Sequence, residues 1–145
     1  MANKFNFDRV LRNFKGVDLS LDIANVAKND FLGNFRAQGF GGNPWQDVKR
    51  RTDPTKKQIS DGSSTRAILQ GKRSGKLRKD VANSVMTGRK NSKLSYTLVV
   101  ENPYAGYLNE GTPNMVKRQF VGTTIALNNK ILKKIDQKLK NIWAT

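Results

Sequence analysis

The residues with most to offer chemically are bases. Between Lys49 and Lys93 the chain sets 14 lysines and arginines against Asp53, Asp61 and Asp80, so a net +11 of the chain's +16 sits in less than a third of its length. Such a stretch can do electrostatic chemistry: it can hold a phosphate backbone or an acidic protein surface, or it can be a solvated loop. Lys49, Arg50, Arg51, Lys56, Lys57, Lys72 and Arg73 are the candidates for facing DNA or another acidic partner. Bond-making chemistry has little to work with. The chain has no His and no Cys, which removes the commonest general base, the commonest zinc ligand and all thiol chemistry. Asp53, Asp61, Asp80, Glu101 and Glu110 are scattered through unlike segments, a poor basis for the clustered carboxylates of a metal-dependent nuclease. Gly71-Lys72-Arg73-Ser74-Gly75-Lys76-Leu77 looks like a phosphate cradle, but its glycines are one residue too close and Lys76 is followed by Leu77. The expectation is a protein that is not an enzyme, with no catalytic residue, cofactor or metal.

A second stretch is suited to being touched. Asn102-Pro103-Tyr104-Ala105-Gly106-Tyr107-Leu108-Asn109-Glu110-Gly111-Thr112-Pro113 mixes two tyrosines with turn formers and carries an acid in a chain dominated by bases. It is expected to form the corner after a sheet. Tyr104, Tyr107, Glu110 and Thr112 are candidate subunit or partner contacts, and the alternative is that both tyrosines cap the domain's own core.

The elements that must position these stretches follow from periodicity. Phe7, Val10, Phe14, Val17, Leu21, Ala24, Phe31 and Phe35 recur in steps of three, four and seven, a helical stripe. Gly16 weakens its continuity and Asp18 is a good cap, so the main helix is expected to begin near Asp18 and stop at the turn from Gly39 to Pro44. Trp45 follows that turn. It reads as a clasp packed back on the helix, and is also a candidate contact. From Gln46 to Ser64 there is almost no apolar residue beyond Val48 and Ile59, which predicts an extended arm or long loop unable to order itself alone.

Val81, Ala82, Val85 and Met86 are expected in a strand running from Asp80. After the polar turn at 87–92, Leu94, Tyr96, Leu98 and Val100 alternate with polar and small residues, the clearest period-two pattern in the chain. Two such strands make an antiparallel hairpin whose apolar face should meet the main helix. A C-terminal helix is expected to bury Ile125, Leu132, Ile135, Leu139 and Ile142, capped by Thr123 or Thr124, with Lys130, Lys133, Lys134, Lys138 and Lys140 opposite. A basic amphipathic helix can also lie on a membrane or in a partner's groove, but this stripe is no wider than a core helix needs. The whole predicts one α+β domain over 1–145, with a long N-terminal helix and a C-terminal helix packed on a small antiparallel sheet and a basic arm at 46–64. The N-terminus shows no apolar export signal and no run of about 18 apolar residues occurs, so a soluble protein is expected.

Four stretches, in order, resemble the tail completion, or virion morphogenesis, proteins of tailed bacteriophages. They are Phe31 to Trp45 with Phe35, Phe40 and Pro44-Trp45; Ile68-Leu69-Gln70-Gly71 with Ser74-Gly75-Lys76-Leu77; Asn102-Pro103-Tyr104-Ala105 through Asn109-Glu110-Gly111-Thr112; and Lys117-Arg118-Gln119-Phe120-Val121-Gly122. Many family members carry His or Gln where this chain has Tyr107 and Asn109, and the arm from Lys49 to Ser64 is unusually basic. The resemblance implies a structural virion protein of the neck, assembled in the host cytoplasm into a homo-oligomeric ring, a hexamer. The implied ring completes the tail end, meets the head connector or adaptor and the tail tube or terminator proteins, and passes DNA. The competing expectation from charge alone is a stand-alone basic nucleic-acid-binding module.

Overall fold

In the computed structural model, residues 19–69, 75–88 and 96–144 are described. The expectations for the stripe before residue 19, for Lys72 and Arg73, and for Leu94 lie outside them. The order of elements is α1 (Leu19–Ala37), β1 (Gly39–Phe40), β2 (Asn43–Pro44), α2 (Lys49–Thr52), α3 (Lys56–Ser60), a 3-10 turn (Ser63–Thr65), α4 (Lys76–Ala82), β3 (Val85–Gly88), β4 (Tyr96–Val99), α5 (Ala105–Glu110) and α6 (Ile125–Ala144). Two long helices and small antiparallel sheets make this an α+β fold, as expected.

α1 is the spine. Leu19, Ile23, Ala27, Phe31 and Phe35 are buried at four-residue intervals. Each such step overshoots a full turn by about 40°, so the buried stripe winds around the helix instead of running straight. One helix can therefore serve two partners, meeting α6 on one side and α4 with the β3–β4 pair on the other. The α6 contact is antiparallel, as two ion pairs show. Lys138 meets Asp22 at 2.8 Å and Lys130 meets Asp30 at 2.6 Å, each pair eight residues from the other on both helices and in opposite chain directions. Ala24 and Ala27 are fully buried, and side chains this small let another element approach α1 closely.

α1 ends where the sequence says it must. Gln38 adopts φ 52°, the left-handed conformation of a helix stop. At Gly39, paired with Pro44 in the short β1–β2 ribbon, a Cβ would run into the carbonyl of Asn43. The ribbon delivers Trp45 back onto the helix. Its backbone N–H donates to the Gln38 carbonyl at 2.8 Å, and its ring meets Phe35 edge-on with centroids 5.9 Å apart. Phe120 also packs on Phe35, with centroids 5.2 Å apart. Ile68, Leu77, Val81 and Leu127 complete this core.

Three expectations change. Residues 46–64 are not an extended arm: they form α2, α3 and the 3-10 turn, and neither helix buries a residue. Val48, half-buried against the core, and hydrogen bonding order them. Thr55 and Gln58 form a reciprocal capping box on α3, and the Asp61 carboxylate accepts the Ser63 N–H at 2.8 Å. The strand expected from Asp80 is helix α4 as far as Ala82, with Leu77 and Val81 buried four residues apart, and β3 begins only at Val85. β3 then pairs antiparallel with β4, Met86 opposite Leu98 and Thr87 opposite Thr97, giving the expected two-stranded pair. Leu98 and Val100 pack against the core, while Val99 is exposed. Lys28 anchors the start of β3 by donating to the Ser84 carbonyl.

α6 begins as expected, with the Thr124 hydroxyl accepting the Leu127 N–H at 3.1 Å. Its buried face is rotated from the expected one. Ile142 is buried as expected and Ile135 and Leu139 are half-buried, but Leu127 is buried with them, whereas Ile125 is 81% and Leu132 62% exposed. The apolar arc of this helix is wider than α1 can cover, and the Lys130 and Lys138 ion pairs swing the basic side towards α1, which leaves Ile125 and Leu132 outside. No helix among the described residues is long and apolar enough to cross a membrane.

Candidate assembly surface

The stretch from Asn102 to Pro113 is a short helix rather than a corner. Asn102 starts it: its side-chain oxygen accepts the Tyr104 N–H at 3.1 Å, and its amide donates to the Asp80 carboxylate at 2.6 Å, which ties the segment to α4. Lys76 pairs with the same carboxylate at 3.0 Å. The Asn102 hydrogen bond first, and Lys76 second, hold the Asp80 carboxyl below its ordinary value. Ala105 and Leu108 pack against the core. Asn109 points the same way, its side-chain oxygen accepting the backbone N–H groups of Phe120 and Val121, each at 3.0 Å. The Arg118 N–H donates to the Leu108 carbonyl at 2.8 Å.

With one face of α5 committed inward, the other is presented outward. Tyr107 is 60% and Tyr104 40% exposed, and Glu110 and Thr112 are exposed as well. Neither tyrosine is buried. Gly111, at φ 79°, ends the helix with its N–H on the Tyr107 carbonyl, and a Cβ there would crowd the backbone of Lys117 at 3.0 Å. Thr112 and Met115 exchange both backbone hydrogen bonds, at 2.9 and 3.0 Å, closing a tight turn that exposes Met115 and Val116. The result is a rigidly mounted outer surface of two tyrosines, apolar side chains and one carboxylate, suited to binding a macromolecule.

Trp45, a candidate contact, is not on this surface. It is 8% exposed and its indole N–H donates to the Gln119 carbonyl at 2.8 Å, so it is the clasp that holds 119–120 against α1. Asn34 helps by donating to the Phe120 carbonyl at 2.9 Å.

The basic candidates divide. Lys49, Arg51, Lys56 and Lys57 are exposed. Arg50 is half-buried and structural, donating to the carbonyls of Ser63, Arg66 and Ala67 at 3.3, 2.9 and 2.7 Å. A guanidinium fork that satisfies three carbonyls folds residues 63–67 back over α2, a role charge patterning does not reveal. Arg50's pKa is pushed below the ordinary guanidinium value by burial first, then by the charges of Arg51 and Arg66, with Arg118 also contributing against an opposing Asp47.

Two of those neighbours were missed among the candidates. Arg118 reaches from beyond α5 to the carbonyls of Gln46 and Asp47, at 3.2 and 3.4 Å, and Arg66 donates to the Asp61 carbonyl at 3.4 Å. Gln38 was missed too. Its side-chain oxygen accepts the Ile68 N–H at 2.8 Å and the Arg51 guanidinium at 3.2 Å, so the helix-stop residue also seats the loop after the 3-10 turn. Nothing in the sequence marks that role beyond a polar residue at a helix end.

Among the described residues no group of three acidic, His or Cys side chains is placed to hold a metal ion. No protein-family model matches the chain, and neither curated proteins nor solved structures give a significant match.

Proposed function

We propose that the chain is a structural protein of a tailed-phage neck, which assembles with copies of itself into a ring that completes the tail end and joins it to the head connector. One observation carries the reading. The stretches that resemble tail completion proteins, far apart in sequence, supply one core: Phe35 and Trp45 from the first, Ile68 and Leu77 from the second, Leu108 packed against it from the third and Phe120 from the fourth. Residues shared for their packing are thus accounted for together, and the tyrosine segment is mounted on that core facing outward.

The role is non-enzymatic: the outer surface offers aromatic contact area and one carboxylate, not a nucleophile with a base. Tyr107 and Tyr104 are the anchors and Glu110 the charge that meets a neighbour's exposed bases, in a head-to-tail contact that closes into a cyclic assembly. The virion neck is the proposed location. Electron microscopy of the purified chain, together with immunodetection in purified particles, tests the reading. Rings, and the protein at the head–tail junction, are expected. Monomers alone at high concentration, with no protein in particles, would overturn it.

A further inference from the structure

The basic segment gains a meaning in three dimensions that its sequence lacks. Arg118, over 60 positions later in the chain, is brought onto it, and its guanidinium lies on the Gln46 and Asp47 carbonyls. Arg51 reaches Asp47 from the other side, at 3.4 Å, and the Gln38 amide oxygen. Arg50 and Arg66 are joined through the Arg66 carbonyl. The guanidiniums of Arg51 and Arg118 therefore gather at residues 46–47 beside Arg50, and Arg66 is near enough that all three neighbours act on Arg50. Lys49 projects from the same segment and is exposed. Arg50 and Arg118 are held by neutral carbonyl oxygens, which fix a cation without cancelling its charge. Asp47 is the carboxylate at the centre of the group.

Fixed guanidiniums suit a ligand with closely spaced phosphates, because the planar fork matches phosphate oxygens and its entropy is already spent. An acidic protein partner would want an apolar centre within the basic rim. On α2, α3 and the 3-10 turn the only exposed large hydrophobic residue is Ile59, the others lying on β4, on α5 and the turn after it, and on α6. A single strand would want exposed aromatic rings for its bases to stack on, and the one aromatic next to residues 46–47, Trp45, is buried. We propose that the face formed by Lys49, Arg51 and Arg118 around the structural Arg50 binds the phosphodiester backbone of duplex nucleic acid without reading its sequence. The site is built by one copy of the chain, so it stands whether or not the chain forms rings.

The test measures binding of the full chain to a short DNA duplex of random sequence by fluorescence anisotropy over a series of salt concentrations. Two double variants remove equal charge: Lys49→Ser with Arg51→Ser on the cluster, and Lys133→Ser with Lys140→Ser on α6. Each phosphate contact contributes about 0.9 to the slope of log K against log salt, so the cluster variant should lower that slope by about 1.8 and the α6 variant leave it near the parent's. Lys49→Glu alone, at an exposed position with no fold contact to lose, should lower it by about 0.9 and keeps the test decisive if the double variant melts early. Equal effects of the cluster and α6 variants would reduce the binding to general charge and overturn the proposal. So would tighter binding of a single strand, or displacement of the duplex by polyglutamate at matched charge.

Discussion

Asp80 shows how a single side chain joins elements that the sequence keeps apart. It lies on α4, takes a hydrogen bond from the Asn102 amide that starts the α5 segment, and pairs with Lys76 one turn earlier. Both interactions favour the charged carboxylate, which is why its folded pKa is depressed. A group with a depressed folded pKa contributes stability that is present above its unfolded pKa, about 3.9 for aspartate, and is lost as the pH falls through the lower folded value. Asp80→Asn should therefore be less stable than the parent near neutral pH, with the gap closing on acidification below about pH 4. Thermal melts of both proteins across pH 2.5–7 check this, and a gap independent of pH would mean that Asp80 contributes through shape alone. The sequence offers no hint of the Asp80–Asn102 contact, because a strand was expected at Asp80. Val81, Ala82, Val85 and Met86 fit a strand's alternation as well as a helical period. The Leu77–Val81 spacing and the Lys76–Asp80 pair, each one helical turn apart, were the signals that favoured helix.

At the scale of elements, α6 separates what periodicity reveals from what it cannot. That the segment is helical, and that Thr123 or Thr124 caps its start, were legible. Which part of its apolar arc is buried was not, because that depends on the opposing surface. The Asp22–Lys138 and Asp30–Lys130 pairs set the rotation, and they involve residues a hundred or more positions apart. Each exposed pair adds only about 0.2–1 kcal/mol, enough to choose between faces of similar hydrophobicity. Leu127→Ala should cost about 2–5 kcal/mol, since it opens a cavity beside the core, whereas Leu132→Ala should stay within about 0.5 kcal/mol. For a chain of this size, the first lowers the melting midpoint by roughly 5–15 °C. Calorimetry of the two variants decides the rotation, and a larger loss at Leu132 would put the expected stripe back in the core. Residues 46–64 make the complementary point. Their order rests on the Thr55–Gln58 capping box and on Arg50 reaching three carbonyls, and neither leaves a hydropathy signal.

For the whole molecule, the question is what a chain of net charge +16 would need in order to assemble into the proposed ring. Like charges on two copies repel, so a stable contact needs an apolar anchor and a local charge of opposite sign. The outer face of α5 supplies both. Tyr104 and Tyr107 stand out from a helix fixed by Asn102, Asn109 and Gly111, and Glu110 lies one turn on from Tyr107. No ion pair among the described residues engages Glu110, whereas Asp22, Asp30, Asp47, Asp80 and Asp136 are all paired within the chain. The tyrosines were legible as contact candidates because aromatics set among turn formers have no periodic core to join, and the inward role of Asn109 was hidden because its partners lie eleven and twelve residues further on. Glu110→Lys should leave the melting midpoint within about 2 °C, as expected of an exposed residue with no ion pair among the described residues. It should also turn the contact's one attraction into repulsion, costing several kcal/mol per interface and raising the concentration needed for assembly a hundredfold or more. Analytical ultracentrifugation of parent and variant over a concentration series measures both assembly constants, and raising the salt separates the causes. Screening weakens the parent's assembly and partly relieves the variant's. If Glu110→Lys assembles like the parent at low salt, the tyrosine face is not the contact, and the neighbouring copy must be sought on the exposed side of α6 at Ile125 and Leu132.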